Sequence, residues 1–172
     1  EDIGTVGSFW ECNLTLTDPV PPFDFFDSEN PIYTHARYLP TAKLNGCRVN
    51  KVLMASGCIV DDSVITRSVI GIRSVIRGGS TLENVVMMGA DSFERRKDNV
   101  LNQNLGRPDI GVGPNCYIKN AIIDKNARIG AGCRLAPTGL PEKWETEALF
   151  VRDGVIVVKK GAVVPPGTIV GE

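Results

Sequence analysis

The sequence predicts an all-β chain wound as a left-handed parallel β-helix of hexapeptide repeats, and three observations carry that prediction. First, a unit of five or six residues recurs along most of the 172 residues: a turn residue, a small apolar residue, any residue, then Ile, Val or Leu. The small position falls at Cys47, Val52, Cys58, Val64, Val69, Val75, Thr81 and Val85, then at Cys116, Ala121, Ala127 and Cys133, and finally at Ala162 and Thr168. A period this short suits a β-helix and is too short for a helical solenoid. Second, side chains alternate along a strand, so Cys58 with Val60, Ala121 with Ile123, Ala127 with Ile129, Cys133 with Leu135 and Ala162 with Val164 form inward pairs. Third, Gly46, Gly57, Ser63, Ser68, Ser74, Asn120, Asn126, Gly132, Gly161 and Gly167 precede these positions. Gly and Asn tolerate the positive φ of a sharp corner, and Ser bonds to nearby backbone. With three sides to a coil, the fourteen units make four to five coils.

The elements follow in order. Ser8 to Leu16 places Phe9, Cys12 and Leu16 on one face at helical spacing, and Asp18-Pro19 ends that helix. Residues 19–45 form an extended linker, its first half rich in proline and fastened by Phe23, Phe25 and Phe26. The β-helix occupies 46–172, with insertions near 89–113 and 137–151. The first insertion is polar and carries Glu94-Arg95-Arg96-Lys97-Asp98; the second contains Trp144 and a helical turn. Each is either a solvated corner loop or a functional, subunit-contacting one.

Hydrophobic content of 42%, charged content of 23% and a net charge of -1 describe an ordinary globular chain and give no reason to expect nucleic acid. No apolar run is long enough to span a membrane, and Glu1-Asp2 does not open a signal peptide. The expected location is the cytoplasm, or a plastid in a plant or alga. Four of the five cysteines, Cys47, Cys58, Cys116 and Cys133, occupy the small position, and Cys12 lies in the helix. They read as buried reduced thiols, with metal ligation or disulfides as the alternatives.

Hexapeptide acyltransferases commonly use a loop histidine as general base, but the one histidine here, His35, precedes the first coil. Phosphate-loop, dinucleotide, H-E-x-x-H and G-x-S-x-G motifs are all absent from the sequence.

Several stretches together carry a resemblance: Glu1-Asp2-Ile3-Gly4-Thr5, Asn13-Leu14-Thr15-Leu16-Thr17, Pro31-Ile32-Tyr33-Thr34, Ala36-Arg37-Tyr38-Leu39-Pro40, residues 68–74 (SVIGIRS), Met88-Gly89-Ala90-Asp91, and residues 122–130 (IIDKNARIG). The chain resembles the C-terminal part of the glucose-1-phosphate adenylyltransferases (ADP-glucose pyrophosphorylases), in particular the cyanobacterial and plant-like branch. The resemblance implies that residues 1–18 end an α/β nucleotidyltransferase domain that joins ATP and glucose 1-phosphate, releasing pyrophosphate, with Mg²⁺ as cofactor. Asp2 would be one metal ligand, matching the aspartate of D-[IV]-G-T, with the rest of the active site before residue 1 and this stretch inactive alone.

The resemblance further implies subunit contacts, within a homo- or hetero-tetramer, and an allosteric site for anionic metabolites. The effector cations correspond to Arg37, Lys125 and Lys160, with Arg128 and Lys159 as neighbours; Lys supplies a point charge and Arg a bidentate fork for phosphate or carboxylate. The competing readings are solvated corner lysines, a catalytically empty β-helix scaffold, and a free-standing acyltransferase.

Overall fold

The computed structural model describes residues 3–172, and Asp2 lies outside the described residues. Strands Lys43–Asn45, Ile59–Asp61, Val75–Ile76, Gly111–Val112, Arg128–Ile129 and Val163–Val164 stack in parallel as one side of a prism. The seven-residue strands Arg48–Met54, Val64–Ile70, Thr81–Met87 and Tyr117–Ile123 each turn a corner and supply the other two sides. Their corners sit at Lys51, Arg67, Asn84 and Asn120, all at positive φ. Arg134–Leu135 and Ile169–Val170 extend the second side, and Val155–Val158 extends the third.

The described residues therefore make five three-sided coils and two sides of a sixth, more than the fourteen repeat units suggest. The three sides outside the repeat pattern are 43–45, 111–112 and 156–158. The first follows Pro40-Thr41, the second lies within the first insertion, and the third is the return strand of a hairpin in which Leu149–Arg152 pairs antiparallel with Val155–Val158.

Burial corrects the register of the second and third coils. Ser63, Ser68, Ser74 and Ser80 point inward, each at 3% exposure or less, paired with buried Ile65, Ile70, Ile76 and Leu82. Val64 is exposed, and Val69, Val75 and Thr81 are half-buried. Choosing the most apolar small residue shifts the pattern by one, because these serine hydroxyls satisfy themselves on backbone. Ser63 Oγ donates to Asp61 O at 2.6 Å and Ser74 Oγ to Gly71 O at 2.7 Å. The inward cysteines behave alike: Cys47, Cys58, Cys116 and Cys133 donate to carbonyls of later coils at 3.1 to 3.3 Å. The interior is otherwise closely filled by Val60, Ile118, Ile123, Ile129, Leu135 and their neighbours. Each large buried aliphatic contributes roughly 2 kcal/mol to the fold.

Helix α1, Val6–Thr15, is capped by a reciprocal pair in which Thr5 Oγ1 accepts from Ser8 N–H and Ser8 Oγ from Thr5 N–H. It lies on the outside of the third side, where outward Val86, Ile122 and Val157 form an apolar column. Its buried face is Val6, Phe9, Trp10 and Leu14 rather than Phe9, Cys12 and Leu16. The linker differs from expectation too. Phe23, Phe25 and Phe26 are exposed, with Phe23 and Phe25 in an edge-to-face pair at 5.4 Å.

The first insertion contains an unanticipated helix, α2, Arg96–Asn104. Asn102, 1% exposed, donates to Glu94 and Asp109 and accepts from Arg107. The second insertion has no helical turn; it packs Leu140, Trp144 and Ala148 against the interior cluster. Among the described residues, no helix is long and apolar enough to cross a membrane.

Candidate functional site

The corner between the third and first sides stacks five short turns into one edge of the prism. Gly57 N–H donates to Pro40 O, Arg73 N–H to Ser56 O, Ala90 N–H to Ile72 O, Asn126 N–H to Gly89 O, and Gly161 N–H to Lys125 O, at 2.8 to 3.3 Å. Residues 125 and 160, far apart in sequence, thereby sit on successive coils of the same edge. Arg37, exposed, reaches that edge from the linker and lines a recess of about 250 Å³ with Ser56 and Ile72. At about 4.8 Å per coil, the Ile72 turn lies roughly 10 Å from that of Lys125 and roughly 14 Å from that of Lys160. Arg37, Lys125 and Lys160 thus share one edge without forming one tight cluster.

The charges along the edge differ in how they are engaged. Lys125 Nζ pairs with Asp91 Oδ1 at 3.2 Å, and Asn126 Nδ2 donates to Asp91 Oδ2 at 2.8 Å. The Asn126 hydrogen bond, with Lys125 next and Lys160 acting through space, holds the Asp91 carboxyl below the ordinary 3.8. Arg73 Nη1 donates to Ala90 O at 3.2 Å with its guanidinium 5.9 Å from the Phe93 ring centre. Lys160 is exposed, and among the described residues neither it nor Arg37 has an ion-pair partner.

The two neighbours separate clearly from this edge. Lys159 is held by the second insertion, donating to Glu145 Oε1 at 3.0 Å and Thr146 O at 2.9 Å. Arg128 is 14% exposed on the first side, paired with Glu94 at 2.8 Å and bonded to Pro108 O, so it fastens the first insertion. Asp91, Arg73 and Asn126 are the edge residues that reading for cations missed. All three lie in the stretches M-G-A-D, I-G-I-R-S and I-D-K-N-A-R, which mark them only by similarity.

His35 is exposed beside Arg37. An apolar recess of about 460 Å³ between α1 and the third side, with Met88 and Asp124 on its wall, adjoins the edge. Among the described residues, no three His, Cys, Asp or Glu side chains gather to hold a metal ion.

A stack of parallel coils with corner insertions admits many families, and comparison with protein families decides among them. The model of the GLGC left-handed parallel β-helix domain matches residues 37–169. The chain belongs to this family, the C-terminal β-helix domain of glucose-1-phosphate adenylyltransferase. The GLGC match fixes the hand of the coil as left-handed. It begins at Arg37, takes in both insertions, and covers Lys125 and Lys160.

Proposed function

We propose that this β-helix is the regulatory and oligomerisation part of a glucose-1-phosphate adenylyltransferase, which makes ADP-glucose for glycogen or starch from ATP and glucose 1-phosphate. Its regulatory site binds anionic metabolites along the Arg37–Lys125–Lys160 edge. The observation that carries the reading is the stacking of Lys125 and Lys160 on successive coils of one corner, joined by the Gly161 N–H to Lys125 O bond of 2.9 Å. Two ammonium groups on neighbouring turns and a guanidinium further along suit an extended anion with separated phosphate and carboxylate charges. An oligomeric role is supported by the open first coil, where Leu44 and Val49 are 48% and 51% exposed and strand edges await a partner. Mg²⁺ belongs in this reading to the catalytic half, with Asp2 among its ligands.

The test is ADP-glucose synthesis by an adenylyltransferase carrying this domain, titrated with 3-phosphoglycerate and fructose 1,6-bisphosphate, with and without phosphate. Activation by one effector, opposed by phosphate and weakened far more than basal turnover by Lys160→Ala, is the expected result. Equal loss of activation and basal turnover would remove Lys160 from the effector site. A folded oligomer inactive under every condition would make the domain a scaffold.

A further inference from the structure

We infer that Asp91 is the resident counter-ion of the Lys125–Lys160 corner, and that an incoming anion binds by displacing its carboxylate; this rests on the effector reading above. Asp91 is not a loose surface carboxylate. Its Oδ1 accepts from Lys125 Nζ at 3.2 Å and its Oδ2 from Asn126 Nδ2 at 2.8 Å, while its own N–H donates to Asn126 Oδ1 at 2.9 Å. Together these contacts hold one full negative charge against Lys125, within the field of Lys160 on the next coil, where a phosphate group bridging the two lysines would have to sit. The pairing is nevertheless reversible. Asp91 is 53% exposed at the side chain and Lys125 37%, so water screens the attraction. Rotation of the Asp91 side chain frees the carboxylate while its N–H stays on Asn126.

Such a counter-ion sets ligand selectivity. A monovalent carboxylate offers Lys125 no more than Asp91 already does, and it must break the Asn126 bond as well. A phosphate dianion brings twice the charge and three acceptor oxygens, and it engages Lys160 at the same time. The corner therefore selects phosphate-bearing ligands over simple carboxylates, and Asp91 lowers the affinity of all of them by competing.

Calorimetric titration of inorganic phosphate and of acetate into the 172-residue chain tests this, alongside Asp91→Asn, Lys125→Gln, Lys160→Gln and the Asp91→Asn/Lys125→Gln pair. The Asn side chain retains an oxygen to accept from Asn126 while removing the charge; Asp91→Ser serves if the Asn variant does not fold. Phosphate should bind roughly three- to tenfold tighter once the charge is gone, and the gain should vanish in the Lys125→Gln background. Equal or weaker phosphate binding by both Asp91 variants, with binding still lost in Lys125→Gln, would overturn the counter-ion role and leave the effector reading standing. Phosphate binding indifferent to Lys125→Gln and Lys160→Gln, or absent altogether, would overturn both.

Discussion

The backbone N–H of Gly7 donates to Oδ2 of Asp153 at 2.9 Å, joining the first turn of α1 to the tip of a hairpin 146 residues later. Asp153 thereby supplies an acceptor and a negative charge at the positive end of the helix, where unpaired N–H groups collect. It is one of several contacts that hold α1 on the solenoid, beside the Trp10 Nε1–H donated to Asn84 O and the Arg67–Glu11 ion pair at 2.6 Å. Another is the seating of Leu14, fully buried against Val86, Ile122 and Val157.

The Asp153 and Leu14 contacts differ in size, and mutation should separate them. Asp153→Ala should cost about 0.5–1 kcal/mol, and Asp153→Asn, which keeps the hydrogen bond, less. Leu14→Ala removes a fully packed side chain and should cost about 2–4 kcal/mol. Trp10, whose Nε1 donates to Asn84 O at 2.9 Å, reports the docking. Its fluorescence through a urea titration, in a Trp144→Phe background, should change at clearly lower urea in Leu14→Ala than in Asp153→Ala. Equal effects of the two substitutions would mean that the apolar column does not dominate the docking.

Two glycines at positive φ, one in a first-side strand and one at a corner, should respond very differently to the same substitution. A Cβ on Gly111 (φ +104) would lie 2.2 Å from the Val75 carbonyl oxygen, whereas one on Gly132 (φ +68) meets nothing within 4 Å. Gly132→Ala therefore carries only the left-handed backbone cost, about 1–2 kcal/mol, while Gly111→Ala must also push neighbouring coils apart. Thermal melts should rank Gly111→Ala well below Gly132→Ala; equal losses would mean that the coil spacing relaxes freely.

The fold was legible because inward pairs such as Ala121–Ile123 and Cys133–Leu135 recur at a fixed step, and solenoid geometry follows from that step. The register at 63–82 was not, because serine there fills the inward position expected of valine: its hydroxyl bonds to a backbone carbonyl of its own corner or, for Ser80, of the next coil. Extending the strand register by one residue stacks Cys47, Ser63, Ser80, Cys116, Cys133 and Thr168 in one interior column. Size and a donor, not apolarity, unite that column. At the candidate edge the cations Lys125 and Lys160 were legible only through similarity, since a corner lysine has no periodic signature. Asp91 was hidden for a different reason: its partners lie 34 and 35 residues away and meet it only once the coils stack.

Asn102 should prove the keystone of the first insertion. Its amide donates to Glu94 Oε1 at 2.8 Å and Asp109 Oδ1 at 2.7 Å, and its oxygen accepts from Arg107 Nε and Nη2 at 3.0 and 2.6 Å. Asn102→Leu leaves two carboxylates and a guanidinium without these bonds in a mostly buried setting, a loss of about 2–3 kcal/mol. The insertion can open without unwinding the coils, so amide exchange should speed up across 94–110 while the strands keep their protection. Uniform loss of protection would show that insertion and prism unfold as one unit.

The interior thiols give stability a dependence on alkaline pH. Burial raises the Cys58 thiol above the ordinary 9.0. In the Cys116–Cys133 pair, contact between the thiols raises Cys116 and lowers Cys133, whose own contribution grows up to about pH 9 and is constant above it. A folded-state value above the unfolded one favours the fold while the thiol is protonated. The contribution is therefore complete below about pH 9 and is lost as pH rises through the window above it. Urea melts from about pH 9 to pH 10.5 should show a fall in stability, shallower in Cys58→Ser/Cys116→Ser. That variant should still fold, because serine already fills the equivalent inward position of a neighbouring coil, Ser74 for Cys58 and Ser80 for Cys116, each bonded to a backbone carbonyl. An unchanged slope in the variant would mean that these two thiols are not what the alkaline limb reports.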